Sequence, residues 1–122
     1  MSQPLAEYDA IARALQHYIE GGRTGSSETM KLGFASTASI YGYLAPDLIA
    51  GPIQDLYDWV DANPPANGRV DRIAGIDVHE SFASVRVEVE NWAGHRFTDV
   101  LSLLKMDGEW KIVSKTFHLH AD

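Results

Sequence analysis

The chain has 122 residues, of which 45% are hydrophobic and 22% are charged, and its formal net charge is -7. This length suits one domain, here residues 1–122, and the acidic balance argues against nucleic acid or an anionic membrane as the main partner. The absence of cysteine excludes a disulfide framework, a thiolate nucleophile and a cysteine-ligated metal. The N-terminus lacks the pattern of a signal peptide and no apolar run approaches ~20 residues, so a cytoplasmic location is expected.

The first half of the sequence has a helical pattern. Apolar residues recur at steps of three and four across PLAEYDAIARALQHYIEGG (4–22), which predicts an amphipathic helix that ends at its glycine pair. A shorter helix is predicted over 27–34, followed by a short strand over ASIYGYL (38–44). A third helix is predicted within GPIQDLYDWVDANPP (51–65), where Pro52 lies near the start and two prolines end it.

The second half has the pattern of strands. In SFASVRVEVEN (81–91) apolar and polar residues alternate, which predicts a strand with one buried and one exposed face. Another strand is predicted before it, over 70–79, and two follow, over 95–105 and 110–119. Helices followed by a strand meander predict an α+β fold, in which a curved antiparallel sheet packs against helices on one face.

The last two strands are joined at Asp107-Gly108, a dipeptide typical of a two-residue hairpin turn. This turn would pair Val100 with Lys115 and Thr98 with Phe117, whereas a bulged three-residue turn would shift the register by one residue. The two-residue turn is the preferred interpretation. One face would then carry Thr98, Val100, Ser102, Leu104, Val113, Lys115, Phe117 and Leu119. The other would carry Phe97, Asp99, Leu101, Leu103, Trp110, Ile112, Thr116 and His118.

This register has two consequences. Lys115 would lie in an apolar environment, either as an anion-binding or amine-catalytic residue or as a structural lysine that reaches a carbonyl, a carboxylate or solvent. Leu101, Leu103 and Ile112 would lie on the outer face, where a second copy of the chain is the simplest cover, so a homodimer is expected.

Metal and acid–base sites on the outer face are not expected to operate. Asp99 and His118 could form an acid–base couple, but both would point outward, so the pair would be an interface or surface contact. His118 and His120 have a spacing that can bind a metal, but no well-placed carboxylate completes the set. We therefore predict no metal and no cofactor.

Three segments resemble the nuclear transport factor 2-like superfamily, which includes SnoaL-like cyclases and ketosteroid isomerases, and within it the "putative lumazine-binding" subfamily. They are YIEGGRTGSSETMKLGF (18–34), GPIQDLYDWVDANPP (51–65) and RFTDVLSLLKMDGEWKIVSKTFH (96–118). The third carries the subfamily's aromatic-Thr-Asp, Leu-x-Leu-x-Lys and Asp-Gly-x-Trp-Lys-Ile pattern. The chain departs from the subfamily at Gly25-Ser26 and Phe34-Ala35, where Gly-Asp and Phe-His are usual.

The resemblance implies a cone-shaped curved sheet wrapped on three N-terminal helices, with a pocket between them and dimers formed through the outer sheet face. It also allows a comparison with ketosteroid isomerases, which stabilise an enolate with a tyrosine and a protonated aspartic acid while another aspartate moves the proton. An ungapped alignment from Tyr18 to Gly42 places Tyr18 at the tyrosine and Gly42 at the base. The alignment of the last hairpin places Ser102 at the acid, and Tyr57 falls on a supporting tyrosine of the third helix. The missing acid and base argue against steroid-type isomerisation.

These observations predict a small-molecule-binding protein with an apolar pocket and a small organic ligand, aromatic or anionic. The predicted ligand-binding residues are Tyr18, Tyr57, Thr98, Ser102, Lys115 and Phe117. The hydroxyls of the two tyrosines are expected to approach within hydrogen-bonding distance. One alternative is a SnoaL-like isomerase, cyclase or dehydratase acting on a carbonyl or polyketide-like compound, with Lys115 and Tyr18 polarising an oxygen. Another is a protein–protein interaction module.

Overall fold

The computed structural model describes residues 4–121. The helices are α1 (Pro4–Thr24), α2 (Ser27–Lys31) and α3 (Gln54–Ala62). The strands are β1 (Phe34–Leu44), β2 (Asp47–Pro52), β3 (Val70–His79), β4 (Phe82–Trp92), β5 (His95–Met106) and β6 (Glu109–Leu119). Within the described residues, no helix has the length and apolar composition needed to cross a membrane.

The strands form one sheet in the order β2-β1-β6-β5-β4-β3. Every neighbouring pair is antiparallel except β1 and β6, which run parallel. The predicted α+β class with a curved, mostly antiparallel sheet is therefore confirmed. The sequence interpretation missed β2, and it extended α2 three residues too far, since β1 already begins at Phe34.

The helices cover one face of this sheet. The buried residues of α1 recur at helical spacing: Ile11, Ala14, Leu15, Tyr18, Ile19. They pack against the inward side chains of the strands, and on β4 these are Ala83, Val85, Val87 and Val89, all fully buried as the alternation predicts. At Gly21 an added Cβ would lie 2.6 Å from the Met30 Cβ, so this glycine allows α2 to pack closely on α1.

The β5–β6 hairpin contains a β-bulge, which determines which of its side chains face the interior. Asp107 and Gly108 both have positive φ, 51° and 80°, and Met106 pairs with Glu109, so the two-residue turn is confirmed. Further along, Leu103 pairs with Ile112 but Ser102 pairs with Ser114. One extra residue on β6 therefore forms a β-bulge, which shifts all later pairs by one residue.

The bulge makes the predicted register wrong beyond this point. Lys115 pairs with Leu101 and Phe117 pairs with Asp99, instead of with Val100 and Thr98. On β5 the two predicted faces are exchanged, and Phe97, Asp99, Leu101 and Leu103 are the buried residues. On β6 the exchange affects Trp110 and Ile112, while Lys115 and Phe117, which follow the bulge, lie inside as predicted.

Candidate functional site

A cavity of about 110 Å³ lies between α3 and the inner face of the sheet. Its walls come from β1, β2, α3 and the ends of β4, β5 and β6. The lining residues are Ile40, Leu44, Ile49, Asp55, Leu56, Trp59, Trp92, Phe97, Lys115 and Phe117. Asp55 is exposed to solvent, whereas Lys115 is a charged residue of the interior. The cavity is therefore an apolar chamber with an amine in its wall.

Lys115 is surrounded by aromatic rings. Only 3% of the residue is exposed, and its Nζ lies 4.8 Å from the ring centroid of Tyr18, 5.0 Å from that of Trp92 and 5.5 Å from that of Phe117. Within residues 4–121 no carboxylate forms a salt bridge with this Nζ. The ring faces attract a cation, but less strongly than a contacting carboxylate would.

The pKa of Lys115 is lowered to about 8, first because burial disfavours its charged form. The negative charge of Asp99 opposes this shift, and the positive charge of Arg69 adds to it. A solvated lysine amine has a pKa of about 10.4. Lys115 therefore has a larger neutral fraction near neutral pH than an ordinary lysine does.

Tyr18 and Asp99 form a buried pair behind this amine. The Tyr18 hydroxyl donates a hydrogen bond of 2.5 Å to Oδ2 of Asp99, and both residues have no exposed surface. Burial, followed by the charge of Asp99, raises the pKa of the Tyr18 hydroxyl well above its usual value. The other carboxylate oxygen, Oδ1, is buried and has no hydrogen-bond partner among the described residues. A buried carboxylate oxygen without a partner is costly and is a candidate for a functional role.

Arg69 completes a cluster of two cations and two carboxylates. Its Nε and Nη2 donate to the Asp71 carboxylate at 2.8 to 3.0 Å, and its guanidinium carbon lies 4.0 Å from the Trp92 ring centroid. The same carbon lies 5.1 Å from the Tyr18 ring centroid. The guanidinium passes against the backbone of Gly22, where an added Cβ would lie 2.0 Å from Nη1. Glycine at this position therefore makes room for the buried arginine.

The predicted site residues separate into two groups. Tyr18, Lys115 and Phe117 lie together inside the fold. Thr98 and Ser102 point to the outer face, contrary to their predicted orientation, because the bulge exchanges the faces of β5. There Thr98 donates to Glu88 at 2.7 Å, and its hydroxyl lies 2.7 Å from Nε2 of His120.

The predicted contact between the Tyr18 and Tyr57 hydroxyls is wrong. The Tyr18 hydroxyl bonds to Asp99, and both tyrosine rings pack against Phe34, with centroid distances of 5.9 Å for Tyr18 and 6.0 Å for Tyr57. Burial raises the pKa of Tyr57 to about 12. Its hydroxyl makes no side-chain hydrogen bond among the residues from 4 to 121.

Sequence reasoning missed Asp99 and Arg69. Asp99 was placed on the outer face, and Ser102 was aligned with the acid of the isomerases. The structure instead brings Asp99 to the tyrosine, so an acid is present beside Tyr18. Arg69 precedes β3 and meets Tyr18 only through the tertiary fold. One signal for Asp99 was available in the sequence, the Thr98-Asp99 motif of the resemblance. The predicted hairpin register was given more weight than this motif.

The N-terminal helices and the curved, bulged sheet define a nuclear transport factor 2-like protein. The profile of the family described as "Putative lumazine-binding" matches residues 6–118, and the chain belongs to this family. It is 37% identical over 114 residues to a protein named aldolase FrzH from Cladobotryum sp, a match that covers 93% of this chain and 91% of that protein.

Solved structures support the same assignment. A nuclear transport factor 2-like protein of unknown function from Shewanella baltica superposes with a TM-score of 0.95 at 38% identity, over 100% of both chains. Another, from Methylobacillus flagellatus, superposes with a TM-score of 0.93 at 44% identity, over 95% of this chain and 94% of that one. A ketosteroid isomerase-like protein from Erwinia carotovora atroseptica superposes with a TM-score of 0.70 at 14% identity, over 93% and 96%, which shows the fold alone.

The Tyr18–Asp99 hydrogen bond predicts a contrast between two tyrosines. Tyr18→Phe removes the donor to a buried carboxylate, so it should lower the free energy of unfolding by ~1.5–3 kcal/mol. Tyr57→Phe removes a hydroxyl without a side-chain partner, so it should change that free energy by less than ~0.5 kcal/mol. Urea denaturation of both variants and the wild type measures the contrast. Equal losses from the two substitutions would contradict the assigned hydrogen bond.

The lowered pKa of Lys115 predicts a pH-dependent stability. Because the folded value of about 8 lies below the ordinary 10.5, the unfolded chain binds more protons between these pH values, and the stability contribution of Lys115 rises with pH there. Below this window the full cost of burying the ammonium is present. Lys115→Met should therefore be more stable than wild type at neutral pH, by roughly 1–3 kcal/mol, and this advantage should shrink as pH rises through the window.

Urea denaturation of wild type and Lys115→Met at several pH values tests this prediction, because the other groups contribute equally to both proteins. Lys111→Met is the control, since Lys111 is half-buried outside the cavity, where its Nζ donates a hydrogen bond of 2.9 Å to the Leu32 carbonyl. Its difference from wild type should lack the pH dependence expected for Lys115→Met. A Lys115→Met advantage that is constant with pH, or a loss at neutral pH, would show that burial does not dominate the titration of Lys115.

Proposed function

We propose that this protein binds a small, largely apolar organic molecule in the cavity, with a carbonyl or carboxylate oxygen of the ligand against the Lys115 ammonium. One observation carries the proposal: a buried ammonium without a salt-bridge partner in the described residues lies in the wall of an otherwise apolar chamber. Such a charge is costly unless it is compensated, and a ligand oxygen would compensate it. The description of the family also supports a small-molecule ligand.

The size and walls of the cavity favour a ligand with a planar apolar part. An engineered apolar cavity of about 150 Å³ binds benzene. The cavity here, of about 110 Å³, would thus enclose roughly one ring, and a larger ligand would extend toward exposed Asp55. Trp59 and Trp92 meet edge to face at 5.2 Å and provide an aromatic wall. We expect the oxygen-bearing end to enter first, because Lys115 lies inside and a carboxylate lies near the opening.

This proposal predicts how affinity depends on Lys115. Wild type should bind benzoate more tightly than toluene, which has nearly the same shape but no oxygen. Lys115→Met should bind benzoate at least about tenfold more weakly, since a charge-assisted hydrogen bond is lost, while its affinity for toluene should be unchanged or higher. NMR titration of both proteins with both ligands measures the four affinities.

Two results would contradict the proposal. If neither compound binds to wild type, the cavity does not serve as a site for molecules of this size. If Lys115→Met binds benzoate as tightly as wild type does, the ammonium does not contact the ligand oxygen. Lys111→Met is the control and should bind both compounds as wild type does.

A second candidate function is catalysis on a carbonyl or polyketide-like compound. The Tyr18–Asp99 pair favours it, because it lies directly behind the amine that would polarise the carbonyl oxygen. The similarity to a protein named aldolase agrees with this chemistry, since an aldol reaction also acts on a polarised carbonyl group.

We also propose a homodimer through the outer face of the sheet, on different residues from those that first suggested it. Leu101, Leu103 and Ile112 are buried in the core of the protomer and cannot form an interface. The exposed apolar residues of the outer face include Tyr41, Phe82, Val100 and Leu104. Phe82 pairs directly with Leu104 across β4 and β5, so part of this surface is continuous.

The dimer proposal predicts a change of mass on substitution. Wild type should sediment as a dimer at micromolar concentration, and Val100→Glu should sediment as a monomer because it places a charge within the apolar outer face. Leu5→Glu is the matched control, since Leu5 is exposed on α1 and is not part of the outer face of the sheet, and it should remain a dimer. A monomeric wild type, or a dimer that persists in Val100→Glu, would refute an interface on this face.

A further inference from the structure

The amine of Lys115 differs from the other lysine amines of this chain. The sequence contains four lysines, and Lys31 and Lys105 are exposed while Lys111 is half-buried. Lys115 is buried and lines the cavity, where its Nζ forms no salt bridge within residues 4–121. It thus combines two properties of a nucleophilic amine, a dry environment and direct access to a small-molecule chamber.

Building on the carbonyl ligand of the proposed function, we propose that Lys115 forms a reversible Schiff base with an aldehyde or ketone bound in the cavity. The site then takes a carbonyl compound as a covalently held substrate. The proposal rests on the position of Nζ in the cavity wall and on the three rings around it.

The reaction balances without an external reagent. Lys115 first releases a proton, and the neutral Nζ forms a bond to the carbonyl carbon as the π bond of the carbonyl breaks. A proton moves from this nitrogen to the oxygen, which gives a neutral carbinolamine. The hydroxyl group of the carbinolamine then takes up the proton that Lys115 released, the C–O bond breaks, and loss of water leaves a protonated Schiff base. The sum of these steps is ammonium plus carbonyl compound giving iminium plus water, with no oxidation or reduction. The lowered pKa of Lys115, about 8, makes the neutral amine available near neutral pH.

The surroundings of Lys115 suit the product better than the free amine. An ammonium presents three donors that need partners, whereas an iminium presents one N–H and spreads its charge over carbon. Removing an ammonium from water therefore costs more than removing an iminium of the same charge. The faces of Tyr18, Trp92 and Phe117 can attract either cation. Conversion of the ammonium to the iminium therefore keeps this attraction and reduces the number of N–H donors that need a partner.

Asp99 lies on the same inner face of the sheet as Lys115, but it does not line the cavity and has no exposed surface. It pairs across the strands with Phe117, two residues from Lys115, so the carboxylate and the amine share one face of the sheet. Its Oδ1 has no partner, while Oδ2 is held by Tyr18.

Reductive trapping tests the Schiff base directly. Wild type is incubated with benzaldehyde, with and without sodium borohydride, and each lysine peptide is then analysed by mass spectrometry. We expect a borohydride-dependent adduct to form at Lys115 at least about tenfold faster than at Lys31, Lys105 or Lys111, because more of its amine is neutral at the same pH. Benzoate should slow labelling at Lys115 alone.

The variants complete the test. Lys111→Met should still be labelled at Lys115, and Lys115→Met should lose the selective adduct. Because the adduct is mapped on wild type, a variant that does not fold leaves the main result intact.

The outcomes separate this inference from the proposed function. Binding of benzaldehyde without an adduct at Lys115 overturns the Schiff base and leaves the ligand site in place. Labelling confined to the exposed lysines also overturns it. If benzaldehyde, benzoate and toluene all fail to bind, both the Schiff base and the proposed ligand site are refuted.

Discussion

The hydrogen bond from Tyr18 to Asp99 joins two residues that are 81 positions apart, and the arrangement of the interior depends on it. It ties α1 to β5 and supplies a partner for a carboxylate that has no access to water. It also orients the Tyr18 ring, whose faces lie near the Arg69 guanidinium and the Lys115 amine. With Asp71, the cluster contains two positive and two negative groups, of which Arg69 and Asp71 form a salt bridge while Lys115 forms none within the described residues.

The β-bulge on β6 brings the amine and the carboxylate to the same side of the sheet. Side chains alternate along a strand, so regular pairing would have placed Asp99 and Lys115 on opposite faces. One extra residue between Ile112 and Ser114 removes this conflict and leaves the turn at Asp107-Gly108 unchanged. The bulge therefore produces a site from a hairpin whose sequence indicates a simple two-faced ribbon.

The sequence predicted what depends on local pattern. The alternation of Ala83, Val85, Val87 and Val89 predicted the buried face of β4, and the Asp-Gly dipeptide predicted the turn. The bulge was not predictable in the same way, because β5 and β6 carry apolar residues on both faces and either register buries a similar set. Lys115 was correctly predicted to point inward, although this prediction paired it with Val100, whereas its partner in the structure is Leu101. Arg69 was missed because its surroundings, Gly22, Tyr18 and Trp92, are assembled by tertiary packing.

The site joins an apolar chamber to a buried polar cluster, and Lys115 belongs to both. The stability, ligand binding and chemistry proposed for this protein all follow from the desolvation of its amine. Nitrogen-15 NMR of the four lysine side chains across a pH titration measures this property directly. Lys115 should titrate near the value of about 8 that its burial predicts. Titration of Lys115 at the ordinary lysine value of 10.5 would contradict the account.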